Sequence, residues 1–240
     1  MESSQPGNGK QGFSGDGGLA TAASLNFPAS VFQYKHEIYI ADKYNHRIRK
    51  IDRNGVISTI AGTGLKGYNG DDILATDADF DEPGSLFVHN DQVYFIEQHN
   101  SRIRKILPNG IIKTVAGTGK IGRNGEDLTT TVSRRLTEGD MLATQCKLPL
   151  PRGICIDSDS QVLYFADILN NSVSKIDLNG MMRRVVGTGT CGYSGDVPFD
   201  FHQYPHIGPR RKKPIIKPFP HALYDLTVIC ETIKNSSQRL

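Results

Sequence analysis

The sequence has no tryptophan, and only ten phenylalanines and nine tyrosines in 240 residues. Cysteine is scarce as well. Cys146, Cys155, Cys191 and Cys230 form no CxxC pair, so neither a zinc site nor a disulfide framework is expected. No apolar run approaches the roughly 18 residues of a membrane span, and the opening MESSQPGNGKQ has no apolar signal core. The expectation is a chain without membrane contact, cytoplasmic and in a reducing compartment. Strong overall charge is also missing. The net charge is +3, with 38% hydrophobic and 22% charged residues. Residues 198–240 hold seven Lys or Arg against three acids, so the first 197 residues stand at minus one and only the tail is basic.

What the chain does have is glycine, 25 of them, which points to many turns and short strands. The glycines recur in phase. The GTG triplets begin at Gly62, Gly117 and Gly187, 55 and then 70 residues apart, and the acids Asp42, Glu97 and Asp167 keep the same 55 and 70. A third marker, LAT, begins at Leu19, Leu74 and Leu142, spaced 55 and 68. Three markers in one phase define an internal repeat. The longer second interval reflects an insertion at about 126–139, read as a surface loop, and two further residues near Asp157 to Gln161.

Within each repeat the β-rich runs EIYIA, QVYFIE and VLYFAD are followed by a polar turn and then by HRIRKID, SRIRKIL or SVSKID. Asn-Gly follows at Asn54, Asn109 and Asn179, a strong hairpin signal. VISTIAG, IIKTVAG or MMRRVVG gives a third strand, and the segment after a proline (ASVFQ, GSLFVH or RGICID) a fourth. Four antiparallel strands per repeat, apolar on both faces, describe a β-propeller blade, which buries its faces only against neighbouring blades. The fold class is therefore all-β, with about three four-stranded blades in an incomplete ring and a Pro-rich basic tail.

At these residues the chain resembles the NHL-repeat family in its long-linker form. The likeness rests on Pro28, YIAD (39–42), Asn45, RIRKI (47–51) and GVISTIAGTG (55–64). Pro83, YFIE (94–97), Asn100, RIRKI (102–106) and GIIKTVAGTG (110–119) repeat it. Pro151, YFAD (164–167), Asn170, KI (175–176) and GTG (187–189) follow, with both arginines replaced by Ser172 and Ser174. The resemblance covers about residues 12–196 and implies a six-bladed ring in most relatives. Three blades cannot close one. The expectations, in order, are a fragment, a chain that pairs with another propeller-forming chain or self-associates to complete a ring, and an open arc. The domain reading is a disordered 1–11, repeats over 12–197 with blade cores at about 26–64, 81–119 and 149–189, and a linker with a terminal strand over 198–240.

Candidate residues follow from the repeat. Asp42, Glu97 and Asp167, with Asn45, Asn100 and Asn170, are expected to shape the first turn of each blade, and Gly55, Gly110 and Gly180 the next. Arg47, Arg49, Arg102 and Arg104 have two readings: partners that lock that turn, or a rim that binds acidic peptide or RNA phosphate. Relatives in the family bind proteins or RNA, but the repeat region is not basic and no aromatic ladder interleaves its charges. The acidic stretch DDILATDADFDEP (71–83) lacks the spacing of a calcium loop and is read as a solvated loop.

Some relatives are enzymes, among them a metal-dependent amide lyase and lactonases, which gather His, Asp or Glu ligands at the axis. Here His46 lies four residues after Asp42 but His99 only two after Glu97, so the histidines are out of register. No catalytic residue, metal ligand or cofactor is assigned. The leading reading is a non-catalytic propeller module presenting a protein-interaction surface, with the substrate-binding part of an adaptor as one form of it. Its alternatives are a lyase or lactonase and a binder of single-stranded RNA. In the tail, Arg210, Arg211, Lys212 and Lys213 form a basic run readable as a nuclear-import signal or a solvated linker. YDLTVICE reads as a strand similar to the start of a BTB domain, or as one that caps the propeller.

Overall fold

The computed structural model describes residues 8–120 and 141–187. The insertion, the basic run and YDLTVICE lie outside the described residues.

Each repeat begins at a proline and folds back on itself three times. Blade 1 comprises β1 (Pro28–Tyr34), β2 (Glu37–Asp42), β3 (Arg47–Ile51) and β4 (Ile57–Ala61), antiparallel in sequence order. Blade 2 repeats this as β5 (Pro83–His89), β6 (Gln92–Glu97), β7 (Arg102–Ile106) and β8 (Ile112–Ala116). In blade 3 a short strand, β9 (Met141–Leu142), pairs outside β13, so the sheet runs β10 (Pro151–Ile156), β11 (Leu163–Asp167), β12 (Ser172–Ile176), β13 (Met181–Val186), β9. No α-helix is present among the described residues. The architecture is a partial β-propeller.

The turns explain the register. Lys35–His36 and Asn90–Asp91 join the first two strands of blades 1 and 2, all four with positive φ of 48° to 66°, the geometry of a two-residue hairpin that suits strand twist. The Asn-Gly turns are of a different kind. Only the glycine, Gly55 (φ 78°), Gly110 (81°) or Gly180 (75°), is left-handed. Asp52 Oδ1 accepts the N–H groups of Asn54 and Val56, and Asp177 Oδ1 those of Asn179 and Met181. In blades 1 and 3 an Asx turn closed by a left-handed glycine thus replaces the tighter hairpin that Asn-Gly suggests, and blade 2 makes the same backbone turn with Leu107 in place of the acid.

The core lies between blades. Tyr39, Ala41, Ile48 and Ala61 of blade 1 pack on Leu86, Val88, Val93, Phe95, Ile106 and Ile112 of blade 2. The linker inserts Ala75, Ala78 and Phe80 between them. Blades 2 and 3 repeat this with Ile96, Ile103 and Ala116 against Ile154, Leu163, Phe165 and Met182. Burying each large side chain contributes about 2 kcal/mol, so the stability of a blade depends on its neighbour. The LAT marker is where the linker meets the outer strand. Leu19 bridges Val56, Leu74 bridges Ile111, Leu142 pairs with Met181, and a single 3-10 turn follows each.

Two expectations change. Residues 8–11 are held, not disordered: the Asn8 N–H donates to Ala23 O at 2.9 Å, and Gln11 bridges Leu25. Cysteine spacing gave no sign of the disulfide in which Cys155 takes part, while Cys146 is free and buried, its thiol pushed up to about 11 by burial.

Candidate functional site

The chemistry-bearing residues gather where each linker enters its blade. Asp42, fully buried at the end of β2, accepts the Asn26 N–H at 2.7 Å and the Asn45 amide at 2.8 Å, and Arg49 Nη1 lies 3.3 Å away. Glu97 does the same with Asp81 N–H, Asn100 and Arg104, the last at 2.8 Å. Asn45 and Asn100 also donate to Gly12 O and Gly67 O, which ties the turn to the linker. Burial raises the Glu97 carboxyl above the ordinary glutamate range and outweighs the pull of the neighbouring Arg104 guanidinium.

Arg49 and Arg104 have no exposed side-chain surface. Beyond Asp42, Arg49 reaches Asp16 at 2.6 Å; beyond Glu97, Arg104 reaches Asp71 at 2.9 Å. Both outer acids sit in a G-x-x-G-D linker, 33 residues upstream of their arginine. Arg47 donates to Asn45 O and Thr63 O, and Arg102 to Asn100 O and Thr118 O, so each fastens the turn to the GTG exit. The linker aromatic covers both guanidinium groups: Phe13 at 3.8 and 4.8 Å, Tyr68 at 3.7 and 4.9 Å. A surface role for Arg49 and Arg104 is closed by burial. Arg47 and Arg102 are half-buried and bonded to backbone carbonyls.

Blade 3 keeps the acid without the cation. Asp167 accepts from Leu150 N–H at 3.3 Å and from the Asn170 amide at 2.9 Å, with Ser172 and Ser174 buried nearby. Burial raises its carboxyl above the ordinary aspartate range.

The acidic stretch 71–83 is solvated only in part: Asp72 and Asp77 are exposed, while other acids of the linker are engaged with the blades. Asp71 meets Arg104, Asp72 meets Lys113 at 2.5 Å, and Asp79 accepts from Thr63 Oγ1 at 2.5 Å. Asp81 and Glu82 meet His99, each with an oxygen 3.5 Å from its Nδ1. Register within the repeat did not reveal this group, because its two acids come from a linker.

Where the linker enters blade 1, the rings of Phe27 and Tyr44 stack at 4.8 Å, 60% and 43% exposed, with the Lys43 ammonium over both. They border an open groove of about 410 Å³ that Asn8, Lys10, Leu25 and Pro28 also line.

No family model matches the chain. NHL repeat-containing protein 2 of Bos taurus is 33% identical over 97 residues, which are 38% of this chain and 13% of that protein. With the blades and their recurring acid, asparagine and GTG exits, the repeats are similar to those of that NHL-repeat protein. The matched part spans far less than two thirds of that NHL relative. Among solved structures, a protein of unknown function from Bacteroides thetaiotaomicron aligns with TM-score 0.49 and 19% identity over 69% of this chain and 37% of its own. An auxiliary nutrient binding protein from Bacteroides ovatus gives 0.45 and 20% over 69% and 38%. Virginiamycin B lyase from Staphylococcus aureus gives 0.39 and 18% over 66% and 40%. At such values these likenesses carry nothing about the activity of the NHL repeats described here.

Proposed function

We propose that the chain is a non-catalytic NHL-repeat module with a protein-interaction surface at the exposed face of blade 1, which packs against a further apolar sheet face. The observation that carries this reading is a comparison of equivalent positions. Leu86 of blade 2 and Ile154 of blade 3 are 4% and 5% exposed, whereas Val31, at the same place in blade 1, is 67% exposed. Phe27 and Tyr44 are a second exposed apolar feature of this blade. Exposed aromatic anchors with an adjacent groove are the usual marks of a protein-binding surface.

The occupant is an apolar sheet face such as a further blade carries, supplied by the same polypeptide or by a second copy, and the second copy is the case that the 240-residue chain can test. Binding of RNA through Arg47, Arg49, Arg102 and Arg104 has no support from their geometry, since the linker and the blade already hold these groups.

Sedimentation of the 240-residue chain across 1 to 100 μM tests the proposal; this is roughly the range of modest protein–protein affinity. Association that Val31→Lys abolishes is the expected result. A wild-type chain that stays monomeric throughout, indistinguishable from Val31→Lys, would remove the second-copy form of the reading.

A further inference from the structure

Blade 2 carries at its inner edge a group of side chains that its sister blades do without. The residue before the blade proline and the residue two after the buried acid are Phe27 and Tyr44 in blade 1 and Leu150 and Leu169 in blade 3. In blade 2 they are Glu82 and His99. The fold accepts apolar side chains at both positions, so the ionisable pair answers no requirement of the blade itself.

The group has the donor set of a coordination shell, with His99 at a coordination spacing from both acids. His99 Nδ1 lies 3.5 Å from Asp81 Oδ1 and 3.5 Å from Glu82 Oε1, and the three ligand atoms fall within 4.8 Å of one another. Two atoms each about 2.1 Å from a tetrahedral cation stand about 3.4 Å apart. A separate observation concerns Asp81. It is 9% exposed, yet its Oδ1, the atom facing His99, receives no hydrogen bond. Its charge is offset by the exposed Lys66 ammonium at 3.3 Å, which a cation held by all three side chains would replace.

The surroundings fit a site that exchanges one cation for another. Lys66 Nζ lies 3.3 Å from Asp81 Oδ1, on a side chain that is 63% exposed and able to withdraw. Lys43 Nζ is 3.1 Å from Glu82 Oε2, the oxygen that does not face His99. The Glu82 N–H donates to His46 Nδ1 at 3.2 Å, which fixes the backbone of the ligand.

We propose that Asp81, Glu82 and His99 bind a divalent first-row transition cation, with zinc as the best match. One imidazole and two carboxylates suit zinc better than calcium or magnesium, which take oxygen ligands. Three protein ligands leave a coordination position for solvent or for a ligand. The site adjoins the arginine cluster of blade 2 through the Asp81 N–H on Glu97 but uses other side-chain atoms, and it does not depend on the interaction surface proposed above.

Calorimetric titration of the full chain, stripped with chelator and then given zinc chloride, tests this. The expected result is one zinc equivalent whose affinity falls at least tenfold in His99→Leu, the residue type of blade 3, and rises at least threefold in Lys66→Met. Equal zinc affinity in wild type and His99→Leu would overturn the proposal. So would weaker binding in Lys66→Met, which would make the group an ion-pair network, or a preference for calcium. Should His99→Leu fail to fold, cobalt(II) added to the wild-type chain provides the second reading. Loss of the His99 ring signals by paramagnetic broadening supports the site, and unchanged signals overturn it.

Discussion

Arg104 pairs with Asp71 at 2.9 Å across 33 residues of chain, joining a strand of blade 2 to the linker that enters it. Arg49 and Asp16 repeat the arrangement in blade 1 at 2.6 Å. The guanidinium thus stands between an inner acid of its own blade and an outer acid of the linker.

The two acids will not cost the same to remove. Asp71 is 31% exposed, and Asp71→Asn should cost about 1 kcal/mol, because water screens the lost attraction. Glu97→Gln should cost about 3 kcal/mol, since it leaves a fully buried guanidinium without its inner charge. Urea unfolding midpoints of the two variants check the order, and equal losses would count against it.

Arginine reactivity should follow the same geometry. With phenylglyoxal, the exposed Arg53 and Arg183 will be modified first, and Arg49 and Arg104 last. Tyr68→Ala should speed modification of Arg102 and Arg104 while leaving Arg47 and Arg49 unchanged, because it uncovers only the pair in blade 2. Peptide mapping by mass spectrometry reads the result.

Asp167 predicts a pH effect of defined sign. Its folded carboxyl titrates above the ordinary value of 3.8, so the folded chain holds this proton more tightly than the unfolded chain. The associated stability is fully present below the unfolded value and is lost as pH rises through the folded one. The melting temperature of wild type relative to Asp167→Asn should therefore fall as pH is raised from about 3.5 to 7. A constant difference would show that Asp167 does not titrate in this way.

The GTG exits set a steric limit. A Cβ on Gly117, where φ is 98°, would lie 2.1 Å from the Ser101 carbonyl oxygen, whereas one on Gly55, at φ 78°, would meet nothing within 4 Å. Gly55→Ala should cost about 1 kcal/mol, for backbone strain alone, and Gly117→Ala upwards of about 3 kcal/mol. Thermal melts of the two variants separate the outcomes.

The repeat made the blades legible, because markers such as Asp42, Glu97 and Asp167 recur whenever the fold requires the same contact. What it hid was of two kinds. The arginine partners Asp16 and Asp71 stand in linkers, and a strand pattern gives no reason to pair a linker acid with a residue 33 places on. The group of Asp81, Glu82 and His99 departs from the repeat, and a reading built on recurrence passes over a residue that occurs once. The Asn-Gly turns show a third limit: the dipeptide marked each hairpin correctly, but only its glycine is left-handed, so each turn is wider than the dipeptide suggests.

The linker aromatics Phe13 and Tyr68 place the natural seam of the repeat away from the edges of its sheets. A cut just before Pro83 would give a complete four-stranded blade stripped of the ring and acid that cover its arginines. A cut before Gly67 would keep them. Whatever inherits, duplicates or transplants such a repeat must therefore carry a linker and the blade after it as one piece.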